Sequence, residues 1–388
     1  MPDSSRRNFL LAGLAAPAVA SAARPHPSDE PSTPARKPVV SSALRYRTLG
    51  KTGLRVTTLG FGCMITSDAS VIERAADIGI TYFDTARGYQ SGNNERMVGA
   101  ALKGKRQDLT LSSKTHAATK EGALADLDTS LRELATDHLD IWYLHAKSKP
   151  AEITDELLEA QQIARQAGKI RFAGVSTHSG QAELIPSLAA NPHIDVILTA
   201  YNFSMGQTLD PMLAAAHTAG KGIVAMKVMA GGFRVVQPGQ RLYDTLKKDG
   251  ALLSALRWVL KNPDIDTTVP SMTDMDQLEE NLKSMTGGFS KADEALLAAR
   301  LERIAPLYCR MCGACEGACA QGLPVAEILR YLTYADGYGQ FSLGRERFLE
   351  LPAEVAQVRC KLCSACTVAC PHGVRVAERL ARAQELFA

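Results

Sequence analysis

Two cysteine runs with the same internal spacing lie in the last quarter of the chain: Cys309-x-x-Cys312-x-x-Cys315-x-x-x-Cys319 and Cys360-x-x-Cys363-x-x-Cys366-x-x-x-Cys370. They contain eight of the nine cysteines in the 388 residues. A cubane iron–sulfur cluster needs four thiolate ligands, and this spacing is the bacterial pattern for such ligands. The sequence therefore predicts a small C-terminal domain that holds two [4Fe–4S] clusters.

The assignment of ligands follows from how paired clusters are held. In two-cluster proteins the fourth cysteine of each run ligates the cluster of the other run. Structural zinc and disulfide bonds are the alternatives for a cysteine-rich domain, but neither explains the same four-cysteine spacing twice. The first predicted set is Cys309, Cys312, Cys315 and Cys370. The second is Cys360, Cys363, Cys366 and Cys319.

This part of the chain resembles the two-cluster bacterial ferredoxins, with one departure. Pro371 follows the last cysteine of the second run, as in that family, whereas Ala320 follows Cys319 in the first run. We expect the departure to change the local shape of the loop more than the ligation. The resemblance also implies a redox partner protein that exchanges electrons with the clusters.

The composition suits one large domain plus a small one, because 46% of the 388 residues are hydrophobic. A net charge of +3 and only 6% aromatic residues argue against a nucleic-acid partner. Outside the N-terminus, no apolar stretch reaches the length of a membrane-spanning helix. We therefore expect no spanning segment once the N-terminal segment is removed.

The N-terminus has the pattern of an export signal. Arg6 and Arg7 precede a weakly apolar stretch, and small residues at 20–22 offer a cleavage site. This pattern is typical of twin-arginine signal peptides; the basic start of a short amphipathic helix is the alternative. That route carries folded, cofactor-loaded proteins, which fits clusters built in the cytoplasm. We predict a signal at 1–23, a disordered linker at 24–43 and a periplasmic location.

A hairpin is predicted at the start of the mature chain, at residues 44–59, with its turn at Gly50-Lys51-Thr52-Gly53. A phosphate-binding loop is the alternative interpretation of these turn residues. That motif fails because Arg45 stands where its first glycine is needed and no helix follows.

Strand-like and helix-like segments then alternate with short connections up to residue 289. Eight such units favour a (β/α)₈ barrel, or TIM barrel, over 44–289, followed by a linking helix and the ferredoxin-like domain over 290–388. A doubly wound sheet is the alternative, but Gly60-Phe61-Gly62 lacks the third glycine of its usual first turn. The predicted strands are 59–63, 81–85, 109–114, 140–145, 171–177, 196–202, 222–228 and 267–271.

Four polar side chains lie at or just beyond the ends of three consecutive predicted strands. Asp84, Lys114 and His145 end strands, and Tyr89 follows in a loop. In a barrel the C-terminal ends of the strands form the face that carries the active site. Singly, a strand-end aspartate is often a cap and a lone histidine is usually structural. Together, the four residues predict a catalytic site at one mouth of the barrel.

Residues 46–282 resemble the aldo-keto reductases. Residues 83–89 resemble the Asp-x₄-Tyr signature of that family, 111–114 resemble its lysine strand, and 140–145 its histidine strand. The resemblance is to the branch that carries a C-terminal ferredoxin module and a twin-arginine signal. It implies an oxidoreductase that interconverts a small carbonyl compound and its alcohol with NAD or NADP. The implied catalytic residues are Asp84, Tyr89, Lys114 and His145.

The chemistry of these side chains suits that role. Hydride reduction of a carbonyl leaves an alkoxide that needs a proton, and a tyrosine with a pKa near 10 exchanges protons poorly at neutral pH. We expect the Lys114 ammonium to favour the Tyr89 phenolate and ease the exchange. By the resemblance, Asp84 orients Lys114 and His145 hydrogen-bonds the carbonyl oxygen.

The resemblance also implies a set of nicotinamide contacts. Ser271 and Gln277 stand where NADP-preferring members often place cations for the 2′-phosphate, so the choice between NAD and NADP stays open. Leu198 replaces a family glutamine, and Met226 replaces a tyrosine that stacks on the ring. The expected cofactor-binding residues are Ser176, Thr177, Met226, Lys227, Ser271, Gln277, Glu280 and Asn281.

Two functional hypotheses follow. The first is an exported oxidoreductase whose clusters exchange electrons with a partner. The alternative is an electron-transfer or docking subunit whose barrel is a non-catalytic scaffold. The four intact residues at the strand ends favour the first. The replacements at Leu198, Met226, Ser271 and Gln277 favour the second. The ninth cysteine, Cys63, is expected to be a buried structural thiol.

Overall fold

The computed structural model describes residues 44–233 and 250–388. The predicted signal at 1–23 and the predicted linker at 24–43 lie outside the described residues. Within the described ranges, no helix combines the length and the apolar character needed to cross a membrane.

Eight parallel strands form a sheet that closes into a barrel. Neighbours in the sheet follow chain order, and bridges from Leu59 to Thr268 and from Gly62 to Ser271 join its two edges. This order confirms the predicted (β/α)₈ barrel and excludes the doubly wound sheet. The strands are β3 (Phe61–Gly62), β4 (Tyr82–Asp84), β5 (Thr110–Thr115), β6 (Leu139–Leu144), β7 (Ile170–Thr177), β8 (Val196–Ala200), β9 (Gly222–Met226) and β10 (Thr267–Thr268).

Helices surround the barrel because one face of each is apolar. The first begins at Asp68, whose carboxylate accepts from the Ser70 N–H, and ends at Gly79, where φ is +107°. Its residues Val71 and Ile72 are buried against the sheet. The helices around the barrel are Ala69–Ile78, Asn93–Ala101, Lys120–Glu133, Asp155–Gln166, Gln181–Ala190, Gly206–Thr218, Ala251–Leu260 and Met275–Leu282.

The predicted N-terminal hairpin closes one end of the barrel. Its strands, β1 (Tyr46–Thr48) and β2 (Arg55–Thr57), pair antiparallel, and the Lys51 N–H donates to the Gly220 carbonyl just before β9 at 2.9 Å. Leu49 of the hairpin packs in the barrel interior together with Leu198. The hairpin thus covers the N-terminal ends of the strands, and Leu198 is a packing residue.

The chain beyond the barrel forms a helical module with its own apolar core. Helix Lys291–Ile304 leads into it and begins with a capping box formed by Ser290 and Asp293. The core of the module is built from large apolar side chains, among them Leu332, Phe348, Leu380 and Phe387. The helices of the module are Val325–Asp336, Phe341–Leu349, Ala353–Ala356 and Val376–Phe387.

The module rests on the C-terminal ends of the barrel strands. The Asn202 amide, just after β8, donates to the Tyr308 hydroxyl at 3.0 Å. Gly337 approaches Gly231 so closely that an added Cβ would lie 2.1 Å from the Gly231 carbonyl oxygen. The helices Val325–Asp336 and Phe341–Leu349, here called the roof, therefore cover the face where the predicted site lies.

Candidate functional site

Asp84, Lys114 and Tyr89 are joined by hydrogen bonds at the barrel mouth. Lys114 Nζ lies 2.6 Å from Asp84 Oδ2, 2.6 Å from the Thr85 carbonyl oxygen and 3.4 Å from the Tyr89 hydroxyl. Asp84 also accepts from the Ser112 hydroxyl at 2.7 Å. Lys114 is only 2% exposed, so its contacts are fixed by the neighbouring strands β4 and β5. The structure thus brings these three predicted residues together.

Burial determines the protonation of this group. Burial and the charge of Asp84 raise the pKa of Tyr89 well above 10.0. Burial also lowers the pKa of Lys114, while Asp84 opposes that shift. Tyr89 therefore keeps its proton at neutral pH.

His145, the fourth predicted residue, lies beside Tyr89 in a group of three histidines. The His145 ring is 5.9 Å from the Tyr89 ring, 3.9 Å from that of His116 and 6.3 Å from that of His178, between centroids. Burial lowers the pKa of His145 and of His178 well below 6.5, and nearby cations add to the shift. Both imidazoles are therefore neutral at pH 7. Within the described ranges, the Nδ1 atoms of His145 and His178 are buried without a hydrogen-bond partner.

The loop that carries Tyr89 is held by contacts beneath it. Arg87 pairs with Glu95, whose side chain is fully buried. Gln90 adopts a left-handed φ of +49°, and its amide donates to the Thr66 carbonyl at 2.9 Å. These contacts fix where the Tyr89 hydroxyl lies relative to Lys114.

Two adjoining cavities separate the barrel mouth from the roof, and Tyr89, His178 and Tyr334 line both. The larger has a volume of about 500 Å³ and the smaller about 390 Å³. Both volumes fall in the range of about 300–1,000 Å³ that is usual for small-molecule sites. The roof helices and the turn between them contribute several side chains to these walls, including Arg330, Tyr331, Tyr334, Tyr338 and Arg347.

The cysteines of the module form two groups, and each group draws on both runs. The first group, called here the inner cluster site, lines one small cavity and consists of Cys309, Cys312, Cys315 and Cys370. The second group, called here the outer cluster site, is centred on Cys360. The Cys360 thiol interacts electrostatically with the other three members, Cys319, Cys363 and Cys366. The structure thus groups the cysteines as the two predicted ligand sets.

A threonine ties the two runs together. The Thr367 hydroxyl donates to the Ala318 carbonyl at 2.7 Å and accepts from the Ala320 N–H at 3.2 Å. Among the described residues, no three His, Cys, Asp or Glu side chains are placed to hold a single metal ion. A cubane instead spreads four thiolates over four irons. The four-thiol donor set of each group fits such a cluster.

The chain matches two known sequence patterns, one over the barrel and one over the module. The sequence pattern of the Aldo/keto reductase family matches residues 65–301, more than half of the chain. The chain belongs to the aldo/keto reductase family. A second pattern, the 4Fe-4S dicluster domain, matches residues 305–377 and includes both cysteine runs. This aldo/keto reductase is therefore an oxidoreductase with an added iron–sulfur domain.

Three proteins similar to this aldo/keto reductase each match 62–66% of its chain. The uncharacterized oxidoreductase YqkF of Bacillus subtilis is 24% identical over 62% of this chain and 91% of its own length. L-Galactose dehydrogenase of Arabidopsis thaliana is 26% identical, over 63% and 88%. The holo form of aldo-keto reductase AKR11C1 from Bacillus halodurans superposes with a TM-score of 0.56 at 25% identity, over 66% and 96%.

Half of the residues predicted to bind cofactor line the larger cavity of the reductase: Met226, Lys227, Ser271 and Gln277. The Gln277 amide is already engaged, because it donates to Thr273 Oγ1 and to Asp274 Oδ2, both at 2.8 Å. The Met226 thioether lies in the same wall as Tyr89. His178 also lines this wall, and its Nδ1 has no hydrogen-bond partner among the described residues. Met226 and Lys227 fit the nicotinamide end of a dinucleotide, whereas Ser271 and Gln277 stand where the family resemblance places its 2′-phosphate end.

The other four residues predicted to bind cofactor, Ser176, Thr177, Glu280 and Asn281, do not line either cavity. The Ser176 hydroxyl accepts from the Ala146 N–H at 2.8 Å, and Thr177 donates to the Ser179 carbonyl at 2.7 Å. Both are buried in the floor at the end of β7. Glu280 pairs with Lys283 on its own helix, and Asn281 is buried.

Several residues that line the two cavities were not predicted from the sequence. His116 directly follows β5 and His178 directly follows β7, so the strand-end rule that selected Lys114 would have found them too. The roof residues, such as Arg330 and Tyr334, carry no such signal because they reach the site only through the packing of the module. Cys63 is buried as expected, with 0% exposure.

Proposed function

We propose that this aldo/keto reductase interconverts a small carbonyl compound and its alcohol at the barrel mouth, with NAD or NADP as cofactor. Its iron–sulfur module would exchange electrons with a partner protein. The observation that carries the proposal is the bonded group of Asp84, Lys114 and Tyr89 beneath a cavity large enough for a small molecule.

Tyr89 is proposed as the proton donor. Its phenol is protonated at neutral pH because burial raises its pKa, so in the reduction direction its hydroxyl can give a proton to the oxygen of the substrate. Lys114, 3.4 Å away, stabilises the phenolate that remains. Asp84 holds Lys114 in place. In the oxidation direction the same atoms take the proton back.

His145 is proposed to orient the substrate. Its imidazole is neutral because burial lowers its pKa, so one ring nitrogen carries a hydrogen that it can donate to the carbonyl oxygen. The stacked ring of His116 limits how the His145 ring can turn. When bound, nicotinamide supplies or accepts the hydride. Met226 and Lys227 would hold the nicotinamide end, and Ser271 and Gln277 would face the 2′-phosphate end of the dinucleotide.

The cysteine groups are proposed to bind two [4Fe–4S] clusters in the predicted sets. Contact with a redox partner is proposed at the outer cluster site. Cys363 and Cys366 are exposed there, and Leu362 between them and Cys360 is 85% exposed. Export by the twin-arginine route to the periplasm is part of the same proposal, on the strength of the N-terminal sequence.

A second candidate function is an electron-transfer subunit with an inactive barrel. Two observations favour it: the roof covers the barrel mouth, and Ser176 and Thr177 use their hydroxyls within the fold. The bonded group around Lys114 favours the reductase instead, because a scaffold has no need of a buried ammonium.

Cofactor content distinguishes the two candidates. We would purify the protein without oxygen, denature it, identify any released nicotinamide and count iron and sulfide. Bound nicotinamide, or binding of added NAD(H) or NADP(H), together with about eight irons for two cubanes, is the expected result. Full iron content with no binding of either dinucleotide would overturn the reductase proposal in favour of the electron-transfer subunit.

A further inference from the structure

Lys227 reaches from the barrel to the inner cluster site. It directly follows β9 and has a left-handed φ of +56°. Its Nζ lies 3.3 Å from the sulfur of Met311, which stands between Cys309 and Cys312 in the first run. Its carbonyl accepts from the Asn202 amide at 3.1 Å, and the same amide donates to the hydroxyl of Tyr308, the residue before Cys309. Both ends of Lys227 are thus tied to the start of the first run.

The ammonium of Lys227 has no acidic partner. In the part of the chain that the structure describes, no carboxylate lies within ion-pair distance of it. Burial, and after it the nearby cation Arg330, lower the pKa of Lys227 to about 7, while the Cys309 thiol acts in the opposite direction. A largely buried ammonium is costly without a nearby negative charge. Four thiolates around a cluster would supply that charge.

Hydrogen bonds to sulfur also distinguish the inner cluster site. The Met311 N–H donates to Cys309 Sγ at 3.3 Å, and the His372 N–H donates to Cys370 Sγ at 3.4 Å. Arg310 adds a second cation, 3.1 Å from the His372 ring. The two backbone N–H donors and the nearby cation all favour negative charge on the sulfurs.

The outer cluster site has a different environment. Among the described residues, no backbone N–H donates to the sulfur of Cys319, Cys360, Cys363 or Cys366, and the Cys360 N–H itself is directed to the Gln384 side chain at 2.9 Å. The nearby cation Lys361 is already paired with Glu385. Cys363 and Cys366 are exposed to water.

We propose that the two cluster sites are built for unequal reduction potentials, with the inner site higher, and that Lys227 is the residue that raises it. The inference rests on the proposed two-cluster module. Net charge, hydrogen bonds to sulfur and solvent exposure set the potential of a [4Fe–4S] cluster. A positive charge nearby stabilises the reduced form because that form carries one more electron. A single electron shared by the two sites then resides mainly at the inner one, against the barrel.

The test is a redox titration of the anaerobic holoprotein followed by electron paramagnetic resonance, after iron and sulfide have been counted. Wild-type protein should give two separate midpoint potentials. Lys227→Met keeps an unbranched side chain of similar length and removes the charge. This variant should lower only the higher potential, by at least about 59 mV. For one electron, that shift is a tenfold decrease in the equilibrium constant for reduction. Lys227→Arg should restore most of the shift.

Lys361→Met is the matched control, because it removes a lysine beside the outer site that is already neutralised by Glu385. It should leave the higher potential unchanged. Two coincident potentials in wild-type protein, a measurement that requires no variant, would overturn the inference alone. So would a Lys227→Met protein with full iron content and unaltered potentials. Fewer than eight irons per chain would overturn the two-cluster proposal and the inference with it.

Discussion

The two walls of the cavities at the barrel mouth are built in different ways. On the barrel wall, Lys114 is 2% exposed and bonded to oxygens from a neighbouring strand and loop. On the roof wall, the Arg330 and Arg347 side chains are 15% and 30% exposed, and each pairs with a glutamate of its own helix or helix end. The barrel wall is fixed by the sheet, whereas the roof wall is held by local pairs. The chemistry should therefore depend on the barrel wall, and closure of the cavity on the roof.

The largest difference is expected between two tyrosines that face the same cavities. Tyr89→Phe should lower the turnover number by about 10²–10⁴-fold, because the proton donor is lost. Tyr334→Phe should change it by less than about threefold, because that hydroxyl makes no hydrogen bond among the described residues and is not placed to transfer a proton. The measurement is steady-state reduction of a carbonyl panel with NADH and NADPH.

The control for this pair is the iron content, which should be the same in both variants and in wild type. Equal losses of turnover for Tyr89→Phe and Tyr334→Phe would contradict the expectation that the chemistry depends on the barrel wall alone. Turnover retained by Tyr89→Phe would remove the proton-donor assignment.

The next largest effect is on stability. Leu332 in the roof and Leu127 in a barrel helix are both 0% exposed, so truncation of either to alanine should cost about 2–5 kcal/mol. Since Leu332 belongs to the core of the module and Leu127 to that of the barrel, we expect each variant to shift a different part of the unfolding curve. Denaturation followed both by circular dichroism and by iron–sulfur absorption would separate the two. Identical shifts in both signals would mean that barrel and module unfold as one unit.

The pH dependence of stability should come from the barrel wall. Burial depresses the pKa of His145 in the folded protein, so the unfolded chain binds the proton first. The free energy of unfolding should fall as the pH drops below about 6.5, by about 1.4 kcal/mol per pH unit for this histidine. His145→Gln should reduce that slope by the same amount, measured by denaturation between pH 7.5 and 5.5. An unchanged slope would show that His145 is protonated in the folded state.

The smallest effect is expected at the rim of the roof. Arg347 bonds Glu350 at 2.8 Å and reaches the Gly88 carbonyl at 3.5 Å. Such half-exposed pairs contribute about 0–1 kcal/mol, so Arg347→Gln should change stability within that range and leave turnover nearly unaltered. A large loss of turnover would instead show that this contact positions the loop of Tyr89, and the contrast between the walls would then need revision.

The barrel wall could be predicted from the sequence because local patterns, the ends of apolar runs, mark its residues. Each strand is a short apolar run, and Asp84, Lys114 and His145 stand where such runs end, so one rule about barrels places all three at one mouth. The grouping of cysteines was equally accessible, because their spacing repeats. His178 was overlooked although it satisfies the same rule as Lys114.

The roof could not be predicted, because its contacts join residues that no local pattern connects. Lys227 and Met311 are 84 positions apart, and nothing in either segment indicates the other. The rise in the pKa of Tyr89 could not be predicted because the burial that causes it depends on the whole fold, while the sequence reveals only the neighbouring lysine. Ser176 and Thr177 were expected at the cavity, but their hydroxyls serve the floor of the barrel instead.

The exchange of cysteines between the two runs has a consequence for the timing of biosynthesis. The inner group needs Cys370 and the outer group needs Cys319 as well as the second run, so a nascent chain that has reached residue 359 can complete neither. The final helix, Val376–Phe387, then supplies Gln384, whose side chain holds the Cys360 N–H and the Val358 carbonyl. On the proposed ligation, iron can enter only after the ribosome has released nearly the whole chain. On the same ligation, a premature stop at any residue from 360 to 366 would spare the barrel but leave both cluster sites incomplete.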